Sequence, residues 1–199
     1  FSVESNPRLT WYVNDCDEDV CMSTWLLNNL ERAISVQNLL LNKLVGITNQ
    51  MDKYSGLWPM HIPSEILRVI AWIYNPYRQA RLNGTLDHKD PDQYRQIILD
   101  VHNRINEYLA GNGQKIDLNM DFKVIGGGDG WKMIEETGEH ARYAFSRHNI
   151  DAFISVRQRP NGNYNYTFSR LSKFTDGFPP LTYLLLMLNH ALNLAGSPD

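Results

Sequence analysis

The sequence predicts an α/β protein, with a helix-rich front half around a short, largely parallel sheet and a smaller, hairpin-containing α+β back half. Three observations carry that prediction. An apolar, β-rich run at 9–13 (Leu-Thr-Trp-Tyr-Val) passes through a short turn into a helix signal, the strand-then-helix order of a parallel sheet. From there to Gly111, apolar side chains recur at helical spacing in successive segments. Beyond residue 149, two β-branched and aromatic runs flank Asn161-Gly162, a dipeptide suited to a tight hairpin turn. The 199 residues fit one domain with two lobes, a helix-rich one over 1–115 and a sheet lobe over 116–199.

Each element has its own signal. The 9–13 strand is read from aromatic and β-branched residues and ends in Asn14-Asp15-Cys16-Asp17-Glu18-Asp19. A helix is expected from Asp19, as N-cap, to Ala33, its acidic first turn matched to the positive end of the helix dipole. A second helix, 36–54, presents Val36, Leu40, Leu44, Ile47 and Met51 as one stripe and ends at Ser55-Gly56. Ser64 caps a third, with Ile66, Leu67, Ile70 and Ile73 inward, that stops before Pro76. Asp90-Pro91 opens a fourth, closed by Gly111, with Tyr94, Ile97, Ile98, Val101, Ile105 and Leu109 on its apolar face. Ile116, Leu118 and Met120 then alternate, and Phe122 to Ile125 runs into Gly126-Gly127-Gly128-Asp129-Gly130. A short helix over 138–147, strands over 150–156 and 164–168, and a last helix from Pro179-Pro180 to near Gly196 complete the reading.

Composition narrows the function classes. Apolar content of 43% and charged content of 21% are ordinary for a globular chain. A net charge of −3 gives no general steering toward duplex nucleic acid or anionic membrane. No apolar run approaches the roughly 18–20 residues of a membrane span, and residues 1–10 lack a signal peptide's basic start and apolar stretch. Cys16 and Cys21 are the only cysteines and are too close to staple a useful loop, so a reducing, cytoplasmic setting is expected. Nothing fixes the oligomeric state, and a homodimer is compatible.

The stretch that looks built for chemistry is the acidic turn. Asp15, Asp17 and Asp19 stand at i, i+2 and i+4 after an apolar run. On a turn, that spacing aims several oxygens at one point. Crowded like charges are costly unless a cation joins them, and hard cations such as Mn²⁺ or Mg²⁺ take oxygen ligands. The competing reading is a solvated acidic helix start. A calcium EF-hand is excluded, because Val20 and Leu26 stand where its loop needs Gly and Glu. A haloacid dehalogenase type of phosphatase fits Asp15 and Asp17, but Asp19 replaces its usual Thr or Val. Asp52, near the end of the second helix, is a further candidate ligand, or a surface aspartate beside Lys53.

An anionic substrate is suggested at the other end of the chain. From 142 to 173 the sequence carries Arg142, Arg147, Arg157, Arg159, Arg170 and Lys173 against the single acid Asp151. A cation site beside an arginine-bearing sheet suits a phosphorylated molecule. Arg170 with Ser172 is the expected phosphate clamp, set against an ordinary solvated hairpin face. The backbone N–H groups of Gly127 and Gly128 are candidate phosphate cradles, although a tight strand-to-helix turn explains the glycines equally well. His102 and His190 read as core histidines and His140 as a surface helix start. Tyr164 and Tyr166 can stack bases or simply pack.

The run into Asn-Asp-Cys-Asp-Glu-Asp-Val-Cys-Met-Ser-Thr-Trp-Leu-Leu over residues 9–30 resembles the first motif of the DHH phosphoesterase superfamily. There a buried strand runs into an Asp-x-Asp-x-Asp turn and a helix with small residues near its start. The resemblance implies a two-metal, usually manganese, hydrolase of phosphoester or phosphoanhydride bonds. Asp15, Asp17 and Asp19 match its acidic positions, and Asp17 and Asp19 become the catalytic candidates. The family's Asp-His-His is absent, Asp87-His88-Lys89 being the nearest sequence, and its Gly-Gly-Gly-His becomes Gly126-Gly127-Gly128-Asp129. The alternative is a non-catalytic protein that keeps a nucleotide or phosphate pocket without the histidine pair.

Overall fold

The computed structural model describes residues 12–34, 38–53, 63–87, 89–150 and 152–170, with isolated positions at 180, 182–184, 186 and 190. The order is α1 (Glu18–Asn28), α2 (Leu30–Ile34), α3 (Leu39–Lys53), α4 (Ser64–Ile73), α5 (Asn75–Asn83), α6 (Pro91–Leu109), β1 (Phe122–Gly128), β2 (Trp131–Glu136), α7 (Arg142–Phe145), a 3₁₀ turn (Ser146–His148), β3 (Ala152–Gln158) and β4 (Tyr164–Arg170).

The helices begin and end where local chemistry dictates, with two departures from expectation. The N-cap of α1 is Asp17, whose Oδ1 accepts the Val20 N–H at 3.2 Å, so Asp19 lies inside the first turn. Asp90 caps α6 by accepting the N–H groups of Asp92 and Gln93, with Pro91 at the first helical position, where its missing donor costs nothing. The chain does break before Pro76, but only for one residue, Tyr74. Pro76 then sits in the first turn of α5, because an early helical residue has no intrahelical partner for its N–H. Gly84 closes α5 at φ 68°.

The helical core gathers Met22 and Trp25 of α1, Leu41, Leu44 and Met51 of α3, Leu67, Ile70 and Ile73 of α4, and Val101 and Ile105 of α6. On α3 the buried stripe runs through Leu41, Leu44, Thr48 and Met51, and Leu40 is exposed. Thr48 is accommodated because its hydroxyl donates to the Leu44 carbonyl and bonds the buried Tyr74 hydroxyl at 2.6 Å. Ile116, Leu118 and Met120 pack against this core without joining a strand.

The expected sheet requires correction. The described sheet has four strands in the order β1-β2-β3-β4 and lies in the back half. Only β2 and β3 run parallel; β1–β2 and β3–β4 are antiparallel. The reason is connection length. Asp129-Gly130 and the Asn161-Gly162 region are short enough for hairpins, whereas the longer crossover from β2 to β3, carrying α7, reverses the chain twice. Gly162, at φ 85°, allows the second turn. Of the 9–13 strand, residues 9–11 lie outside the described residues, and Tyr12 and Val13 are irregular and 91% and 45% exposed. The last helix falls largely outside the described residues, with helical backbone at 182–184, 186 and 190. His102 is buried as expected, while His190 is exposed.

A small second core, Ile134, Ala141, Phe145, Ile150 and Phe153, sits under the sheet. Helix α7 joins the two parts. Its Tyr143 belongs to the helical core and its Phe145 to the sheet core.

Candidate functional site

A cleft of about 380 Å³ opens between the helices and the sheet, within the size range of small-molecule sites. Its acidic edge comes from the start of α1 (Asp17, Glu18 and Asp19) and the end of α3 (Asp52). Helix α5 contributes Tyr77, Arg78 and Arg81, and the segment after β2 contributes Glu139, His140 and Arg142. The opposite wall is one face of the β3–β4 hairpin.

Strand alternation builds that wall. Successive side chains point to opposite faces, so Ser155 and Arg157 of β3 share a face, with Arg159 next in the series. Their cross-strand partners, Thr167 opposite Ser155 and Asn165 opposite Arg157, present polar groups on the same side. Ser169 continues the face. Arg170, one residue later, falls on the other face, is exposed, and is not among the residues lining the cleft.

Glu136 organises the arginines. Its buried carboxylate receives Arg142 Nε at 2.9 Å and Arg157 Nη2 at 2.9 Å, and it accepts the Ser155 hydroxyl. Arg142 also donates to Thr167 at 2.7 Å, and Arg157 to the Gly138 carbonyl at 2.6 Å. Burial pushes the Glu136 carboxyl up, but Arg142, Ser155 and Arg157 outweigh it and hold the group below the usual range. Across the cleft, Glu18 pairs with Arg78 at 2.9 Å, and Arg78 lies over the Tyr143 ring.

The acidic edge is crowded. Burial pushes the Asp17 carboxyl up to about 7, assisted by a side-chain hydrogen bond with Asp19 and by the Asp19 charge. Asp15 bonds its neighbour's backbone, accepting the Cys16 N–H at 2.7 Å, and does not line the cleft. Asp17, Asp19 and Asp52 therefore share one cavity. Among the described residues, no group of three or more His, Cys, Asp or Glu side chains is placed to share a metal ion.

The remaining expected site residues lie elsewhere. Gly127 and Gly128 are exposed β1 residues paired with Lys132 and Trp131. No helix follows them, so they do not form the cradle that a helix N-terminus would complete. Their smallness serves the turn: a Cβ on Gly127 would come within 2.6 Å of the Trp131 carbonyl oxygen. Ser172 and His88 lie outside the described residues, and Asp87 and Lys89 are exposed beside the turn into α6.

Sequence reasoning did not single out Arg78, Arg81 or Glu136, and it placed His140 on the surface. His140 is only 4% exposed and its Nδ1 is buried without a partner. Burial, then the charge of Arg78, lowers its pKa to about 4, so its ring is neutral at neutral pH. The alternating Ser155-x-Arg157-x-Arg159 and Asn165-x-Thr167-x-Ser169 patterns were the available signal for the sheet wall. Comparison with protein-family models, with curated proteins and with solved structures finds no match to this chain.

Proposed function

We propose that the cleft binds a small phosphorylated molecule, such as a nucleotide or phosphate ester, with Mn²⁺ or Mg²⁺, and hydrolyses a phosphoester or phosphoanhydride bond. The observation that carries this reading is one cavity lined both by Asp17, Asp19 and Asp52 and by Arg142, Arg157 and Arg159.

The donor set suits a hard cation in one mode. Magnesium is commonly held by one or two carboxylates together with the substrate's own phosphates, rather than by an all-protein cage. Asp17 and Asp19 form such a pair, and burial first, then the neighbouring Asp19, raises the proton affinity of Asp17, a penalty on the ionised form that a bound cation would offset. A bound cation would supply activation of a water and neutralisation of phosphoryl charge. The chain's own residues bind and orient. Arg142 and Arg157, fixed on Glu136, present guanidinium donors to phosphate oxygens, and Thr167 and Ser169 add hydroxyls on the same wall. The resemblance of residues 9–30 to the DHH phosphoesterases supports the same chemistry.

A second reading, binding without catalysis, is favoured by the absence of the histidine pair. Among the described residues the cleft offers only His140.

The test is a Mn²⁺ titration with and without inorganic phosphate, followed by phosphate release from a panel of nucleotides and phosphodiesters. Phosphate should strengthen Mn²⁺ binding and Mn²⁺ should strengthen phosphate binding by the same factor, as linkage requires. Asp19→Asn should abolish the coupling. A parent protein that binds no Mn²⁺ in either condition refutes the metal site. Coupled binding without turnover of any panel member selects the non-catalytic reading.

A further inference from the structure

We propose that His140 reads the uncharged part of the ligand by hydrogen-bonding a hydroxyl group, so that the cleft prefers phosphate esters of hydroxylated carbon skeletons to esters that carry no hydroxyl. The inference rests on the phosphate-binding reading above and concerns the remainder of the same ligand.

Among the described residues, the buried side-chain nitrogens that lack a hydrogen-bond partner belong to Arg78, His140 and Arg159, and all three residues line the cleft. Folded proteins rarely leave such atoms unpaired, because each bears its full desolvation cost. The two arginines are anchored through their other donors, Arg78 on Glu18 and Arg159 on Asn165. His140 is held differently. Its backbone N–H donates to the Asn119 carbonyl at 2.7 Å, and its carbonyl accepts the Tyr143 N–H at 2.9 Å. The residue is 4% exposed, and its ring lies 5.7 Å from the Tyr143 ring, centroid to centroid. Backbone bonds and packing fix the imidazole, while Nδ1 has no partner among the described residues.

The charges around His140 select the kind of partner. Those that bear on its ring are Arg78, Glu139 and Arg157. Arg78 is paired with Glu18 and Arg157 with Glu136, and Glu139 is itself an acid, so His140 faces no cation without a carboxylate. Burial, then the charge of Arg78, keeps the ring neutral at neutral pH, and a neutral ring lacks the pull of an imidazolium on an anion. A ring nitrogen of neutral imidazole donates or accepts according to the tautomer. A hydroxyl does both and satisfies Nδ1 in either case, whereas a carbonyl satisfies only a donor nitrogen. Arg157 ties this corner to the arginine wall, since its Nη2 donates at 2.6 Å to the carbonyl of Gly138, two residues before His140. One small ligand can therefore set its phosphate on the wall and a hydroxyl against His140.

The experiment is calorimetric titration of the full chain, with Mn²⁺ present, by ribose 5-phosphate and by methyl phosphate. Both are phosphate monoesters, and they differ in their hydroxyls. Where phosphate is released, the same ratio is read as kcat/KM. Parent protein is compared with His140→Leu, His140→Gln and His140→Asn, each checked for an unchanged thermal transition. Ribose 5-phosphate should bind the parent about tenfold more tightly than methyl phosphate, the worth of one hydrogen bond to a buried atom otherwise unpaired. His140→Leu should bring the ratio toward one. His140→Gln should do the same, because its polar atoms stand at the ε position rather than the δ position of Nδ1. His140→Asn, whose polar atoms stand at the δ position, should keep most of the preference, which a merely structural histidine would not do. A parent ratio near one, with both esters bound, overturns this inference and leaves the phosphate-site reading standing. A ratio unchanged in His140→Leu and His140→Gln also overturns it. Binding of neither ester overturns both.

Discussion

Asp17 serves two functions whose electrostatic demands conflict. As the cap of α1 it accepts the Val20 N–H, which favours the ionised carboxylate, while burial and Asp19 favour the protonated one, and the second influence wins. The folded chain therefore keeps a proton, up to about 7, that the unfolded chain releases near 3.8. Stability from this group is full below about pH 4 and is lost as the pH rises through about 7. Asn caps a helix as well as Asp does, so Asp17→Asn retains the cap and removes the penalty. In metal-free buffer at pH 8 the variant should be more stable than the parent by about 0.5–1 kcal/mol, discounted for partial exposure, or a few degrees in Tm. The difference should vanish near pH 4. Thermal melts across that pH range check it, and a parent at least as stable as the variant at pH 8 would refute the crowding argument. His140 titrates with the opposite sign. Its depressed pKa means that its contribution is present above about 6.5 and is lost as the pH falls through about 4.

At the scale of elements, the caps and turns follow from short-range chemistry. Asp90 satisfies two otherwise orphaned N–H groups at the start of α6, and Ile97, Val101 and Ile105 of that helix are buried. Asp90→Ala should cost about 1 kcal/mol and lower Tm by about 2–4 °C, as a thermal melt at neutral pH will show. Unchanged stability would mean that packing alone sets the start of α6. The break at Tyr74 has a different origin. The chain bends there between two helical segments, and the Tyr74 hydroxyl is anchored by Thr48 of α3. That anchoring keeps α5, with Arg78 and Arg81, against the cleft.

At the scale of the molecule, the cleft lies between parts held together by α7 and by a few polar contacts, such as Gln79 with Glu139 and Arg147 with Ser64. A ligand that engages both the α5 arginines and the sheet wall stabilises the assembled form over the unfolded chain. By mass action, saturation at a hundred times Kd contributes about 2.7 kcal/mol, a Tm increase of about 5–10 °C. Pyrophosphate with Mn²⁺ should produce this shift in a thermal melt, and Arg157→Gln should reduce it. No shift at any concentration of the pair would argue against a ligand bridging the cleft. Among the described residues, no helix is long and apolar enough to cross a membrane.

Helices α1, α3, α4 and α6, the Asp90 cap and the Asn161-Gly162 hairpin were legible in the sequence because capping and turn geometry are settled within a few residues, whereas α5, which resumes directly after the break at Tyr74, was not read as a helix. The opposition of an acidic turn to a basic hairpin was also legible, since charge runs are visible in one dimension. The sheet was not. Whether two strands run parallel depends on the path of the crossover between them, and the 9–13 apolar run is not matched by a strand at Tyr12 or Val13. Which arginines face the cavity was likewise a tertiary decision. A shift of one residue along β4 separates Ser169, on the wall, from Arg170, on the far face. Only the folded chain brings Arg81 of α5 to the same cavity as Arg159, nearly eighty residues later. Local propensity is written in neighbouring residues, whereas a binding site is a meeting of distant ones, fixed by packing.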